Sequence, residues 1–165
     1  MLAFILFQTL LIGTPQELSK AAESLHDPDV VYNSIEQPID YPCGDIPSDQ
    51  GVCTDVIVRA FKIIGRCLQE EIHEYRLSKG ESTGKNIDHR RVPNLASYFS
   101  SLNMESHDYL EPGDIIWWKV GGANGINHIG IMIDNGMVMH NIGRGQVADV
   151  CPEDYHIHRI YRLPA

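Results

Sequence analysis

A chain of 165 residues, 43% hydrophobic and 21% charged, has the size of one compact domain and enough apolar material for a core, which excludes a disordered or low-complexity protein. Thirteen Lys and Arg stand against 22 Asp and Glu, a net charge of −9. There is thus no basic footprint for a phosphate backbone, and nucleic acid is excluded as a partner. The four cysteines, Cys43, Cys53, Cys67 and Cys151, are too few and too scattered for a disulfide scaffold and hold no Cys-x-x-Cys zinc knuckle. Whether Cys43, Cys67 and Cys151 form a disulfide is left open by the sequence.

Residues 1–13 (MLAFILFQTLLIG) form an apolar run shorter than the ~20 residues that span a bilayer, so no transmembrane segment is expected there. Two readings of residues 1–25 stand side by side. A secretory signal, with Ser19-Lys20-Ala21 as a small-x-small cleavage site, would place the protein in the periplasm or outside the cell. An N-terminal helix, started by Thr14, Pro15 and Glu17, would belong to the fold. Residues 26–165 read as one domain without repeats or linkers.

Turn signals crowd residues 33–50, as in Asp40-Tyr41-Pro42, Cys43-Gly44-Asp45 and Pro47-Ser48-Asp49, and predict an irregular loop. A helix follows, with Val56, Ile57, Ala60, Phe61, Ile64 and Leu68 on one side and Asp55, Arg59, Lys62 and Arg66 on the other. Further helices are predicted over 68–77 and from Pro93, the latter carrying Leu95, Tyr98, Phe99 and Leu102. Beyond Glu111 the pattern changes to short runs over 115–120, 128–134, 137–142 and 156–163, read as strands. Asn135-Gly136 is a strong hairpin signal, so the second and third runs pair antiparallel. Helices first and strands afterwards predict an α+β domain, a helical N-terminal half packed on an antiparallel sheet.

Cys53 opens the first of these helices after Gly51, where free N–H groups and the helix dipole favour a thiolate. A nucleophilic thiol needs an imidazole to take its proton, and His128 and His140 are the candidates. Pairing about the Asn-Gly turn sets Asp134 against Met137. That places residue 128 roughly opposite the residues just past 140 and allows both rings one face, although parity across a turn does not fix it. Taken alone, a cysteine at a helix start is more often a small buried hydrophobe.

The stretches YPCGDIPSDQGVCTDV (41–56), NIDHRRVPNL (86–95), PGDI (112–115), HIGI (128–131) and HNIG (140–143), in this order, resemble the papain-like superfamily of bacterial cell-wall hydrolases typified by NlpC, and within it a bacterial family of unassigned function. The resemblance covers the chain from about residue 38 onward. It implies a papain-like fold and a thiol hydrolase of peptidoglycan, an endopeptidase or amidase without a cofactor. It also implies that Cys53 is the nucleophile, His128 the base and His140 the residue orienting it, with Asn141 as the alternative third residue. Two departures bear on specificity: Thr54-Asp55 stands where such enzymes usually have Ser-Gly, and Cys43 where a small residue is expected.

Around this core, Asp88, His89, Arg90 and Arg91 are candidates for a rim that binds stem-peptide carboxylates, with an internal salt-bridged loop as the structural alternative. Tyr41, Asp45 and Asn141 are further candidates for the cleft. Trp117 and Trp118 alternate faces and are assigned to neither role. Two other functions fit the same residues: a non-catalytic module that binds cell-wall glycopeptide, and a zinc site made by Cys53, His128 and His140. Which amide is cut is not legible.

Overall fold

The computed structural model describes residues 13–105, 109–151 and 156–164. Helix α1 (Pro15–Glu23) begins with a reciprocal cap: Thr14 accepts from the Glu17 N–H and the Glu17 carboxylate accepts from the Thr14 N–H, with Pro15 in the first turn. Two donors left open by any helix start are thereby satisfied. Leu18 and Ala22 are fully buried in the core, so the Ser19-Lys20-Ala21 stretch lies inside a core-forming helix. The apolar run on which the signal reading of residues 1–25 rests, residues 1–13, lies outside the described residues except for Gly13. None of the described helices is long and apolar enough to cross a membrane.

The loop after α1 contains a feature the turn signals do not reveal. Strands β1 (Val31–Tyr32) and β2 (Gln50–Gly51) pair in parallel, Val31 against Gln50 and Tyr32 against Gly51. The loop is also tied by a disulfide between Cys43 and Cys67, whose Cα atoms lie 5.4 Å apart. Helix α2 (Cys53–Ile63) follows β2 directly. The expected polar stripe of α2 does not face solvent, since every residue from 51 to 61 is buried. Burying a charge requires partners, and they are present: Asp55 pairs with Arg90, and Arg59 pairs with Asp45 at 2.8 Å and donates to Gln146 and to the Gln50 carbonyl.

Helix α3 (Leu68–Ser78), a 3-10 turn (Asp88–Arg90) and helix α4 (Val92–Ser101) complete the helical half. The second half is an antiparallel sheet of β3 (Ile115–Val120), β4 (Ile126–Met132), β5 (Met137–His140), β6 (Val147–Val150) and β7 (His156–Tyr161), in spatial order β6-β5-β4-β3-β7. The α+β class read from the sequence therefore holds. On one face Ile115, Ile129, Ile131 and Met139 join Val56, Ile57, Phe61, Leu95 and Phe99 in the main core. On the other, Ile116, Trp118, Met132 and Val138 form a smaller cluster. The Pro-Gly-Asp turn into β3 is structural: Gly113 lies against the Pro15 backbone, and the buried Asp114 holds Arg162 at 2.6 Å and accepts from the Glu111 N–H.

One register differs from the sequence expectation. Ile131 pairs with Met139 and Met132 with Val138, and the Ile133 N–H donates to the Met137 carbonyl, so Ile133 rather than Asp134 faces Met137. Asp134–Gly136 then forms a three-residue turn, with Asn135 and Gly136 at φ 61° and 72°. Because side chains alternate with a period of two, the extra residue decides which face His140 takes. The observed register continues to place His140 opposite Gly130, and hence on the face of His128. A Cβ at Gly130 would meet Val138 Cγ1 at 2.6 Å and His140 Cβ at 3.2 Å, so only glycine admits this packing. Gly130→Ala should overpack the site and cost about 1–3 kcal/mol. Urea unfolding would read this as a lower midpoint at unchanged slope, and an unchanged midpoint would show that the strands separate without cost.

Candidate active site

The pairing of β4 with β5 runs through Ile131 and Met132, and beyond it the start of α2 lies against Ile129 and Asn141. Backbone hydrogen bonds from Ile129, Thr54 and Cys53's own amide reach the Cys53 sulfur. The Asn141 side-chain amide donates to the Gly51 carbonyl at 3.3 Å. The start of α2 thus lies where the two strands part, with the Ile129 backbone near the Cys53 sulfur and the Asn141 side chain on the Gly51 carbonyl.

On the other side of the fork the two imidazoles meet. His128 Nε2 lies 2.8 Å from His140 Nδ1, and His140 Nε2 lies 2.9 Å from Asp149 Oδ2, which also accepts from Arg144 at 2.7 Å. Trp118, fully buried, covers both rings, at 4.5 Å between centroids for His128 and 5.7 Å for His140. Asp149 is absent from the sequence reading because β6 was not recognised as a strand. The alternating Val147-Ala148-Asp149-Val150 after the Gly143-Arg144-Gly145 turn is the signal that would have placed it.

Electrostatics differ from the expectation for a cysteine at a helix start. Burial pushes the Cys53 thiol up to about 11 against the backbone hydrogen bonds that favour its thiolate, with Asp55 adding to the rise. Burial likewise pulls His128 down to about 3, with His140 contributing, and His140 is lowered by burial although Asp149 opposes this. Desolvation disfavours any charged form, so the resting site holds a neutral thiol and neutral imidazoles.

Cys53 opens onto a cleft of ≈ 510 Å³ whose lining includes Tyr32, Thr54, Arg91, Asn94 and Asn127. Tyr32 is a residue the sequence did not suggest. Its hydroxyl is held protonated by partial burial and by the nearby Cys53 and Asp55, so it is available as a donor at the cleft mouth. β1 carries it there, and β1 was itself unrecognised.

The remaining candidates separate clearly. Arg91 is exposed and lines the cleft. Arg90 also borders the cleft, but it forms a bidentate pair with Asp55 at 2.8 and 2.9 Å and donates to the Ile35 and Asn33 carbonyls. The internal salt bridge is therefore the correct reading for Arg90. Asp88 accepts from the Gly84 N–H and pairs with Arg76 at 3.2 Å, which makes it a loop-closing residue. His89 is buried, and burial pulls it down to about 4. Tyr41 packs edge-on to His73 beneath Lys85, and Asp45 binds Arg59, both away from the cleft lining. Asn141 is fully buried in its clamp on Gly51, and it is His140 that bonds His128. Cys53, His128 and His140 do not bring one ligand atom each within 4.8 Å of one another, so no observation supports the zinc reading. Among the described residues, the group with metal-like spacing, Cys43, Cys67 and Glu70, has both sulfurs in the disulfide.

The departure Thr54-Asp55 has a visible purpose. Thr54 donates to the Arg90 carbonyl at 2.9 Å, and Asp55 accepts from the Val52 N–H at 2.7 Å while holding the Arg90 side chain. These two residues dock the 88–90 turn, and with it Arg91, against the nucleophile's helix.

Comparison with known proteins follows this geometry. The family described as a domain of unknown function (DUF1287) matches residues 19–163. Uncharacterized protein YijF of Escherichia coli (strain K12) is 36% identical over 138 residues, 69% of this chain and 64% of its own length. The solved structure of NlpC1 from Trichomonas vaginalis superposes with a TM-score of 0.52 at 16% identity, over 92% of this chain and 46% of that one. The chain thus spans less than two thirds of either protein, and the likeness to NlpC1 is one of fold: helices on an antiparallel sheet.

The two arginines should respond oppositely to truncation. Arg90→Ala leaves Asp55 buried without its partner, an expected loss of about 3–5 kcal/mol. Arg91→Ala should leave the melting temperature nearly unchanged, as for an exposed side chain. Thermal melts of both variants check this, and a stable Arg90→Ala protein would contradict the structural role.

Proposed function

The chain belongs to the DUF1287 family, and from that premise we propose that it is a cysteine hydrolase cutting an amide bond in peptidoglycan, as an endopeptidase or amidase, through a thioester on Cys53. The observation that carries this reading is the hydrogen bond between His128 and His140, with the Ile129 backbone that follows His128 lying near the sulfur of a cysteine that opens a helix at a cleft. The fold shared with NlpC1 supports it, as does the order of motifs around Cys53, His128 and His140. The arrangement is papain-like in its logic. A thiol attacks, an imidazole carries the proton, and a third side chain orients that imidazole.

In this scheme the Cys53 sulfur attacks the amide carbonyl carbon while its proton passes to His128 Nδ1. The C–N bond then breaks and His128 returns the proton to the departing amine. Water, deprotonated by His128, attacks the thioester, releasing the carboxylic acid and restoring the thiol. The Tyr32 hydroxyl donates to the oxyanion, a contribution that preorganised donors make in a dry site. Arg91 pairs with a substrate carboxylate at the cleft, which suits the carboxylate-rich peptides of peptidoglycan. A neutral resting thiol means that charge separates only as attack occurs, with substrate excluding water.

The reading places the protein in the periplasm or outside the cell. The Cys43–Cys67 disulfide supports this, because such bonds persist in oxidising compartments.

Mass spectrometry of muropeptides after digestion by the wild type and four variants tests the assignment. Cys53→Ala and His128→Ala should be inactive, His140→Ala slower by at least ~100-fold, the scale of general acid–base catalysis, and His140→Asn intermediate because it retains an acceptor. A Cys53→Ala protein that still digests peptidoglycan would contradict the mechanism. A wild type that binds glycopeptide without cutting it would identify a binding module instead.

A further inference from the structure

Two imidazoles and a carboxylate in series can carry protons in only a few arrangements, and the outer end of the series decides which. Asp149 lies on β6, opposite Val138 and on the face of His140. Its Oδ2 receives the Arg144 guanidinium at 2.7 Å and lies 2.9 Å from His140 Nε2. A guanidinium is permanently charged and donates only, so the Asp149 oxygen beside it accepts. His140 Nε2 must then carry a hydrogen, since an unprotonated nitrogen at that distance would set two lone pairs against each other.

With Nε2 protonated, a neutral His140 has its lone pair on Nδ1. Nδ1 lies 2.8 Å from His128 Nε2, so it accepts, and His128 Nε2 in turn carries the hydrogen. The lone pair of His128 is left on Nδ1, the nitrogen that the proposed chemistry needs as base. Each hydrogen bond fixes the next tautomer, and the direction starts at Asp149. His140 is neutral because it is buried beneath Trp118 and away from water.

We propose that Asp149 is a positioning residue of the site: held as an acceptor by Arg144, it sets the tautomer of His140 and through it directs the lone pair of His128 to Nδ1. It touches no reacting atom and acts only through His140. The tautomers belong to the resting protein, while their catalytic meaning rests on the reading of Cys53 and His128 proposed above.

Nitrogen-15 NMR of ring nitrogens and their carbon-bound protons distinguishes the two tautomers without substrate. In histidine-labelled wild type near neutral pH, His128 and His140 should both show the Nε2–H pattern, with assignments from His128→Gln and His140→Gln spectra. Asp149→Asn, which keeps an acceptor, should retain both patterns. Asp149→Leu should convert His140 to a mixture or to Nδ1–H and shift His128 with it. Asp149→Leu should also lose muropeptide hydrolysis more than ~10-fold, with Asp149→Asn largely rescuing it. A wild-type spectrum with His128 in the Nδ1–H form, or His140 doubly protonated, overturns the proposal whatever the variants do. Unchanged tautomers in Asp149→Leu overturn the role of Asp149. If the tautomers behave as expected and the wild type hydrolyses no muropeptide, the proton arrangement stands and the hydrolase reading fails.

Discussion

Side chains on a strand alternate between faces, so two imidazoles on neighbouring antiparallel strands meet only if the turn between them has the right parity. The β4–β5 hairpin meets this condition with the three residues Asp134–Gly136, and much of the site follows from it. A two-residue turn would send His140 to the helix-covered face, opposite Ile131, and no histidine pair would form. The three-residue turn puts His140 opposite Gly130, where the missing side chain lets it reach His128. Past that point the two strands part, and the start of α2 occupies the gap. One hairpin therefore carries both histidines and, through the Ile129 backbone, meets the start of the helix that Cys53 opens.

Helix α2 is held by charged side chains that are largely buried. Asp55 and Arg90 are both almost fully buried, and a buried pair is costly to break although it contributes little over an apolar substitute. What such a pair supplies here is position. Arg90 spans from α2 to the carbonyls of Asn33 and Ile35, so helix, β1 loop and 88–90 turn form one unit around the cleft. Arg59 does the same on the next turn of α2, joining Asp45, Gln50 and Gln146. The stretch from Gln50 to Phe61 is thus fixed on every side, consistent with a site that works by preorganisation.

Much of this was legible in the sequence, for identifiable reasons. α1, α2, α3 and α4 announce themselves through caps, prolines and 3.6-residue periodicity, and β3, β4, β5 and β7 through short apolar runs. β1, β2 and β6 carry too few residues and too little apolar contrast to stand out, and with β1 and β6 went Tyr32 and Asp149. The interior placement of Asp55 and Arg59 was hidden because a charged residue at helical spacing looks solvated until its partner, thirty or more residues away in the case of Arg90, is known. Arg90 and Arg91 are adjacent and chemically alike, and only the three-dimensional path of the chain separates a structural residue from a cleft residue. The expectation of a stabilised thiolate at the helix start left out burial: the effect of a helix terminus is modest, and desolvation at Cys53 outweighs the backbone N–H groups that favour the thiolate.

A neutral thiol in a water-poor fork, a base whose lone pair is fixed by a chain of hydrogen bonds, and a cleft with an unburied arginine make a coherent acyl-transfer site only if Cys53 becomes acylated. The most direct measurement is acid quenching of the wild-type protein during turnover of a peptidoglycan stem peptide, followed by intact mass and peptide mapping. The account expects a mass increment equal to the acyl portion of the substrate, located on the peptide containing Cys53 and removed by hydroxylamine. Turnover without any adduct under these conditions, or an adduct carried by another residue, would contradict it.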